Sequence, residues 1–419
     1  MESDDPMSDL KSNLLAAIRE FEIIDCHEHL ELEPARTSVP VDALNLFSHY
    51  CSTDLVTAGM GWDDYPRLFD PDLPLDERWS LLRPFLPEIR FGSYARAAWI
   101  AAQELYGFED INDETYEPLS AAMQARNVPG VYQWILREHC HIRHSLTQNS
   151  ADEGDGDLLV PVMWGIHLYQ LQTWADLGKN TERYAPGTAV NTLEEYLDLL
   201  ESALVAGKAK GAVGIKIMTQ PFPEPERSAA EAGWSSLRAG SELPLAHPLH
   251  AYLLDELIQI AARLDLVVAI HSGLWGDFRR LDATHMIPFF IRHPEARFDL
   301  YHLSFPQMPE AVVIGKNFPN VWLNLCWTHI MSPTLTREGI RLLLDLVPVN
   351  KVFAFGGDYA PNSVDKAVGH LRLAQDNIAT VFAERVAAGL MTEEPALSVA
   401  HKWFWDNPIQ AYGLKVESG

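Results

Sequence analysis

The sequence predicts an α/β protein built as a (β/α)8 TIM barrel. Three observations predict it. Eight short apolar, β-branched runs recur along the 419 residues, longer helical stretches separate them, and several of the runs end in a histidine or an aspartate. A single barrel domain over 1–419, with a helical insertion at 41–129 after the first strand, uses the whole length.

The runs come in order. Glu22–Cys26 leads into His27-Glu28-His29, and His141–Leu146, Leu158–Ile166 and Ala212–Met218 follow it. Leu266–Ile270, Phe298–His302, Val321–Cys326 and Val352–Phe355 complete the set. Between them, Leu193–Ala206, Leu249–Leu264 and Ser363–Ala388 carry apolar residues three and four apart, which is helical spacing. Thr192 is placed to cap the first of these helices, with Glu194 and Glu195 in its opening turn. Three connections are long. Val41 to Pro129 is rich in Trp, Tyr and helical patterning, and Gln220 to Pro248 has the composition of a loop or lid. Gly273 to Met286 is the third, and all three leave the C-terminal ends of strands, where barrel enzymes carry their chemistry.

Composition narrows the partners. With 32 basic against 58 acidic residues the formal charge is −26, which repels nucleic acid and anionic membranes. A small-molecule substrate is expected, and an anionic one needs a local cationic pocket. No apolar stretch is long enough to span a bilayer, the leading segment lacks the pattern of a secretory signal, and the four cysteines are scattered. These features predict a cytoplasmic protein. Aromatics of the insertion are candidates for a contact between copies in a homo-oligomer.

The strongest local signal is Asp25-Cys26-His27-Glu28-His29. Side chains two apart on a strand share a face, so both imidazoles can reach one ion. His271 and His302 end the fifth and sixth runs, and Asp358 follows the eighth, after Gly356 and Gly357, which permit a sharp turn. A lone histidine at such a place is usually a packed core residue. Four histidines and an aspartate at the strand ends of one barrel point to a metal centre.

This set resembles the amidohydrolase superfamily, and more narrowly the branch of amidohydrolase-related hydrolases, decarboxylases and uronate isomerases. The insertion, with Trp99 and Glu104-Leu-Tyr-Gly-Phe108, is similar in style to uronate isomerases, and Trp403 to Leu414 resembles the closing helix of the wider branch. The resemblance implies one divalent metal held by His27, His29 and Asp358, with His271 joining them. It makes His302 a ligand or a group that polarises substrate, and Asp358 the proton carrier. Zn2+ is the favoured ion, with Mn2+ as an alternative.

Lys216 has three readings: a carboxylated bridge between two metals, a cation holding substrate or serving the site, or a lysine facing the helices. The second is preferred. Arg279 and Arg280 after the fifth run, and Arg143 on the second, are candidate clamps for a carboxylate. Trp164 and His167, at the end of the third run, and Trp275 are candidate pocket walls.

The leading expectation is a metal-dependent hydrolase acting on a C–O or C–N bond of a small, carboxylated metabolite. A uronate-type aldose–ketose isomerase is the alternative, followed by a non-oxidative decarboxylase. The ending Gly356-Gly357-Asp358-Tyr359 departs from typical uronate isomerases. A non-enzymatic barrel that binds metal or ligand is the reading from another class, and a missing ligand would be its mark.

Overall fold

A computed structural model describes residues 6–149 and 151–416. The first five residues of the leading segment lie outside them. The strands are β1 (Ile23–Glu28), β2 (Ile142–Thr147), β3 (Leu159–Trp164), β4 (Gly214–Met218), β5 (Val267–His271), β6 (Phe298–Leu300), β7 (Val321–Asn324) and β8 (Val352–Phe353). They stand in the sheet in chain order, and the pairs are parallel. This is the strand order of a (β/α)8 barrel.

The chain divides into two compact units. The first runs up to Thr147 and adds Cys326–Arg341 and Ala354–Trp405. It holds β1, β2, the insertion and the helix Lys366–Ala387. The insertion is helical, as its patterning predicts, with helices at Cys51–Thr57, Leu75–Leu82, Ser93–Tyr106 and Tyr116–Arg126. Its Ser93–Tyr106 helix presses against Lys366–Ala387 so closely that a Cβ on Gly369 would stand 2.1 Å from the Ala97 carbonyl oxygen. Arg36, fully buried, bonds Asp365 and Asn127, each at 2.9 Å, and Tyr106 also donates to Asp365. Pairing the buried Arg36 and Asp365 in this way lets the insertion pack as part of the unit.

The second unit takes 148–325, Leu342–Phe353 and the segment from Asp406 onward. It contains β3 to β8 and the helices Leu193–Ala209 and Pro248–Arg263. The Thr192 hydroxyl accepts from the Glu195 amide while the Glu195 carboxylate takes the Thr192 amide, so the predicted cap is a full capping box. The stretch from Gln220 to Pro248 is not a plain loop. Twelve residues, Arg227–Arg238, form a helix that buries Ala230, Gly233, Trp234 and Leu237. Four apolar positions at spacings of three and one supply the buried stripe that the Pro- and Ser-rich composition masks.

Strand ends differ from the sequence expectation by one or two residues, and those of β6 and β8 bear on the site. β6 stops at Leu300 because Tyr301–Ser304 is a tight turn in which His302, Leu303 and Ser304 all have positive φ. β8 stops at Phe353, but the next residues keep bonding β1. The amides of Cys26 and His29 donate to Phe355 and Tyr359 at 3.0 Å, and that of Asp358 donates to His27 at 2.8 Å.

Candidate metal centre and active site

In the first unit the alternation of β1 brings His27 and His29 out at its C-terminal end, with rings 5.0 Å apart. The strand-eight extension returns Asp358 to the same point. Its Oδ1 lies 3.1 Å from His27 Nε2 and 3.2 Å from His29 Nε2. His27 and Asp358 are buried, whereas His29 keeps 29% of its side chain exposed and is the open side of the cluster. Burial pushes the Asp358 carboxyl up, yet the two imidazoles outweigh it and hold it well below the usual range. Two imidazole nitrogens and one carboxylate oxygen converging on a point form a donor set that suits a divalent first-row metal.

The two glycines before Asp358 act differently from the expectation. Neither has a positive φ; Asp358 itself does, at 60°. What Gly356 and Gly357 supply is space. A Cβ on Gly356 would lie 2.5 Å from the Cys326 Cβ, and one on Gly357 would lie 1.9 Å from Glu28 Oε1. Asp25 and Glu28 are both fully buried beneath this turn and hydrogen-bond each other. Burial pushes Asp25 up to about 7, against the lowering effect of its bond to Glu28, and pushes Glu28 well above its ordinary value, where the Asp25 carboxyl raises it further.

Sequence reasoning missed two residues of the insertion. Tyr50 hydrogen-bonds the Asp358 carboxylate, and burial together with that charge keeps its phenol protonated far above neutral pH. Its ring stacks on Trp327 at 4.5 Å and on Tyr94 at 5.4 Å. His49 packs on Tyr50 at 4.1 Å, and burial drives its imidazole down to about 4, so it is neutral under physiological conditions. No spacing marks them: they join the site by tertiary packing, about 300 positions from Asp358. The φ of 59° at His49 and the aromatic density of the insertion are the traces they leave.

The second unit carries its own strand-end cluster. His302 Nε2 lies 3.2 Å from His271 Nδ1, both side chains are buried, and Trp275 meets the His271 ring edge-on at 6.4 Å. The Lys216 ammonium sits 4.1 Å above the Tyr301 ring, whose hydroxyl accepts from Gln148 at 3.1 Å. A cation on an aromatic face is paid for in part by that contact. Arg280 donates to Gln220 at 3.2 Å, while Arg279 is spent on an exposed ion pair with Asp277. Trp164 ends β3 half-buried, and His167 bonds Tyr184 at 3.0 Å, with burial driving its imidazole down to about 4. Arg143 belongs to the first unit. It is the second residue of β2, beside the start of β1, and the strand's C-terminal end lies about 13 Å further along at ~3.3 Å per residue.

Asp299 on β6 adds a pH-dependent element. It accepts from Tyr412 at 2.7 Å and from Asn324 at 3.0 Å, and burial pushes it up to about 7 despite those bonds and the charge of Lys216. The folded protein therefore holds this proton where the unfolded chain has released it. Stability is expected to fall as pH rises from about 4 to about 7 and then to level. Asp299→Asn removes that slope; urea unfolding at pH 5 and pH 8 reads it, and an identical change in both proteins would refute the assignment.

A sequence profile described as "Amidohydrolase" matches residues 24–414, from the residue before Asp25 to the closing helix. The chain belongs to the amidohydrolase family. Among curated proteins it is 27% identical to Protein fluG of Emericella nidulans over 178 residues, which are 40% of this chain. That match spans 20% of the fungal protein. Among solved structures, a glucuronate isomerase from Caulobacter crescentus superposes with a TM-score of 0.82 at 16% identity, covering 100% of this chain and 96% of that one. A uronate isomerase from Thermotoga maritima gives 0.80 at 16% identity over 98% and 99%. One from Bacillus halodurans gives 0.75 at 13% over 99% and 98%. At these identities the likeness shows the barrel fold.

This amidohydrolase is an enzyme of a family whose members depend on metal. Among the described residues, no helix is long and apolar enough to cross a membrane.

Proposed function

We propose that this amidohydrolase is an aldose–ketose isomerase of a carboxylated sugar, with hydrolysis as the second reading. The observation that carries the proposal is Tyr50 on Asp358 with His49 behind it. Hydrolysis requires one proton carrier beside the metal. Moving a carbonyl between adjacent carbons requires two, one for the hydroxyl proton and one for the C–H proton. The resemblance in fold to uronate isomerases agrees with that reading.

His27, His29 and Asp358 would hold one divalent ion, with His271 joining them and His302 either joining or polarising substrate. Zn2+ comes first and Mn2+ second. Bound there, the ion would polarise the substrate carbonyl and acidify the neighbouring hydroxyl. Asp358, kept ionised, takes the hydroxyl proton and returns it to the other oxygen. The neutral His49 takes the carbon-bound proton and delivers it to the adjacent carbon, while the protonated Tyr50 steadies the enediolate as a hydrogen-bond donor. Lys216 and Arg280 are the proposed cations for the carboxylate, which a net charge of −26 would otherwise repel. Trp164 would wall the pocket.

Hydrolysis remains the second reading because the strand-eight ending departs from typical uronate isomerases, and Asp358 with its imidazoles already supplies what attack by water needs. Hexuronates and sugar lactones, each with Zn2+ or Mn2+ in D2O, test the choice. The expected result is aldose–ketose exchange with solvent deuterium entering at carbon. Lactone opening without exchange on the hexuronates would overturn it in favour of the hydrolase.

A further inference from the structure

Asp358 holds a backbone conformation that a non-glycine residue rarely adopts, with φ at 60°. Something must fix the two peptides beside it. The Gly357 amide donates to Asp25 Oδ1 at 3.2 Å, and the same oxygen takes the His27 amide at 3.2 Å. The Tyr359 amide donates to Glu28 Oε2 at 2.5 Å. On the far side, the Gly357 carbonyl accepts from His370 Nδ1 at 3.2 Å. The Asp358 amide itself bonds the His27 carbonyl. Every peptide of the turn is thus tied, and two of the ties are carboxyls from the strand that carries His27 and His29.

Glu28 is the unusual member. It sits between the two histidines, where an alternating strand would place an apolar residue against the surrounding helices. A register irregularity in β1 between Asp25 and Glu28 accompanies its burial beneath the turn. Gly357 leaves the room it fills, since any Cβ there would collide with Glu28 Oε1.

We infer that Glu28 is a positioning residue: through the Tyr359 amide and its bond to Asp25 it locks the Asp358 turn and presets the spacing of Asp358 to His27 and His29. The inference rests on the reading that these three residues hold the metal. Groups that orient ligands from behind commonly change metal affinity by about 10- to 100-fold when removed. Glu28→Ala leaves the Tyr359 amide without its acceptor and frees the turn. Glu28→Gln keeps an acceptor for that amide and a donor for Asp25, so it restores the lock.

The test is the affinity of the full-length protein for Zn2+ and Mn2+ alone, by competition with a chromogenic chelator, beside amide exchange over residues 355–362. Glu28→Ala is expected to weaken affinity about tenfold or more and to speed exchange there, while Glu28→Gln stays close to the parent protein. Leu14→Ala, in the core under the leading helix, is the control: it lowers global stability and leaves affinity unchanged. Should Glu28→Ala not fold, Gly357→Ala displaces the same carboxyl by its Cβ and is expected to give the same loss. Affinity unchanged in the displaced variants, or Gln as weak as Ala, overturns the inference. A parent protein that binds neither ion overturns the metal centre and this inference together. Tight binding without isomerase activity overturns the reaction alone.

Discussion

Asp358→Asn is expected to lower kcat about 1,000-fold while the apo protein stays folded. The expectation has two parts. Asparagine tolerates the left-handed φ of 60° as well as aspartate does, so the turn survives. The amide can still face His27 and His29 but can neither take a proton nor neutralise a bound cation. Because the imidazoles hold the Asp358 carboxyl well below its usual range, it is ionised throughout the neutral region, and its own titration leaves the rate flat there. Any acid limb near neutral pH then belongs to other groups. The variant should also hold its divalent ion more weakly, so the stabilisation that saturating metal gives the parent should shrink. Steady-state kinetics with metal analysis measures both. Activity within tenfold of the parent protein would remove Asp358 from the chemistry.

The barrel was legible because strand and helix periodicities are local. β1 and the capped helix Leu193–Ala209 follow from residues a few positions apart. The His27–His29 pair was legible for the same reason, since alternation alone puts both rings on one side. Asp358 was visible as the end of the last strand. What local pattern cannot carry is contact between distant segments. Glu28 stands between two histidines with no role that local pattern assigns; its partner amide lies on Tyr359, 331 positions away. The glycines before Asp358 looked like turn residues, whereas their neighbours across the fold, Cys326, His27 and Glu28, set the need for them. Lys216 shows a further limit. Its burial was foreseeable, but not that its ammonium would rest on Tyr301, one residue before a histidine that the sequence had singled out.

The second large effect concerns Tyr50, and it separates the two reactions. Tyr50→Phe removes one oxygen and keeps the ring that stacks on Trp327 and on Tyr94, so packing is conserved. If Tyr50 steadies the enediolate, kcat for aldose–ketose exchange should fall about 100- to 1,000-fold with KM little changed. Removing the hydroxyl also takes one hydrogen bond from the Asp358 carboxylate. A secondary loss through Asp358 would act on every reaction the site performs, whereas a primary role acts on isomerisation alone. The discriminating measurement is solvent deuterium incorporation per turnover, compared with ring opening of a lactone by the same variant. Equal losses in both would assign Tyr50 to orienting Asp358 and favour the hydrolase. A loss confined to exchange at carbon would place the phenol against the enediolate. His49→Gln extends the argument: burial already holds that imidazole neutral down to about pH 4, so the parent rate should show no titration of His49 between pH 6 and 8. Loss of exchange in the variant, beside a parent rate that shows no titration of His49 between pH 6 and 8, would identify His49 as a proton acceptor that stays neutral in the resting enzyme.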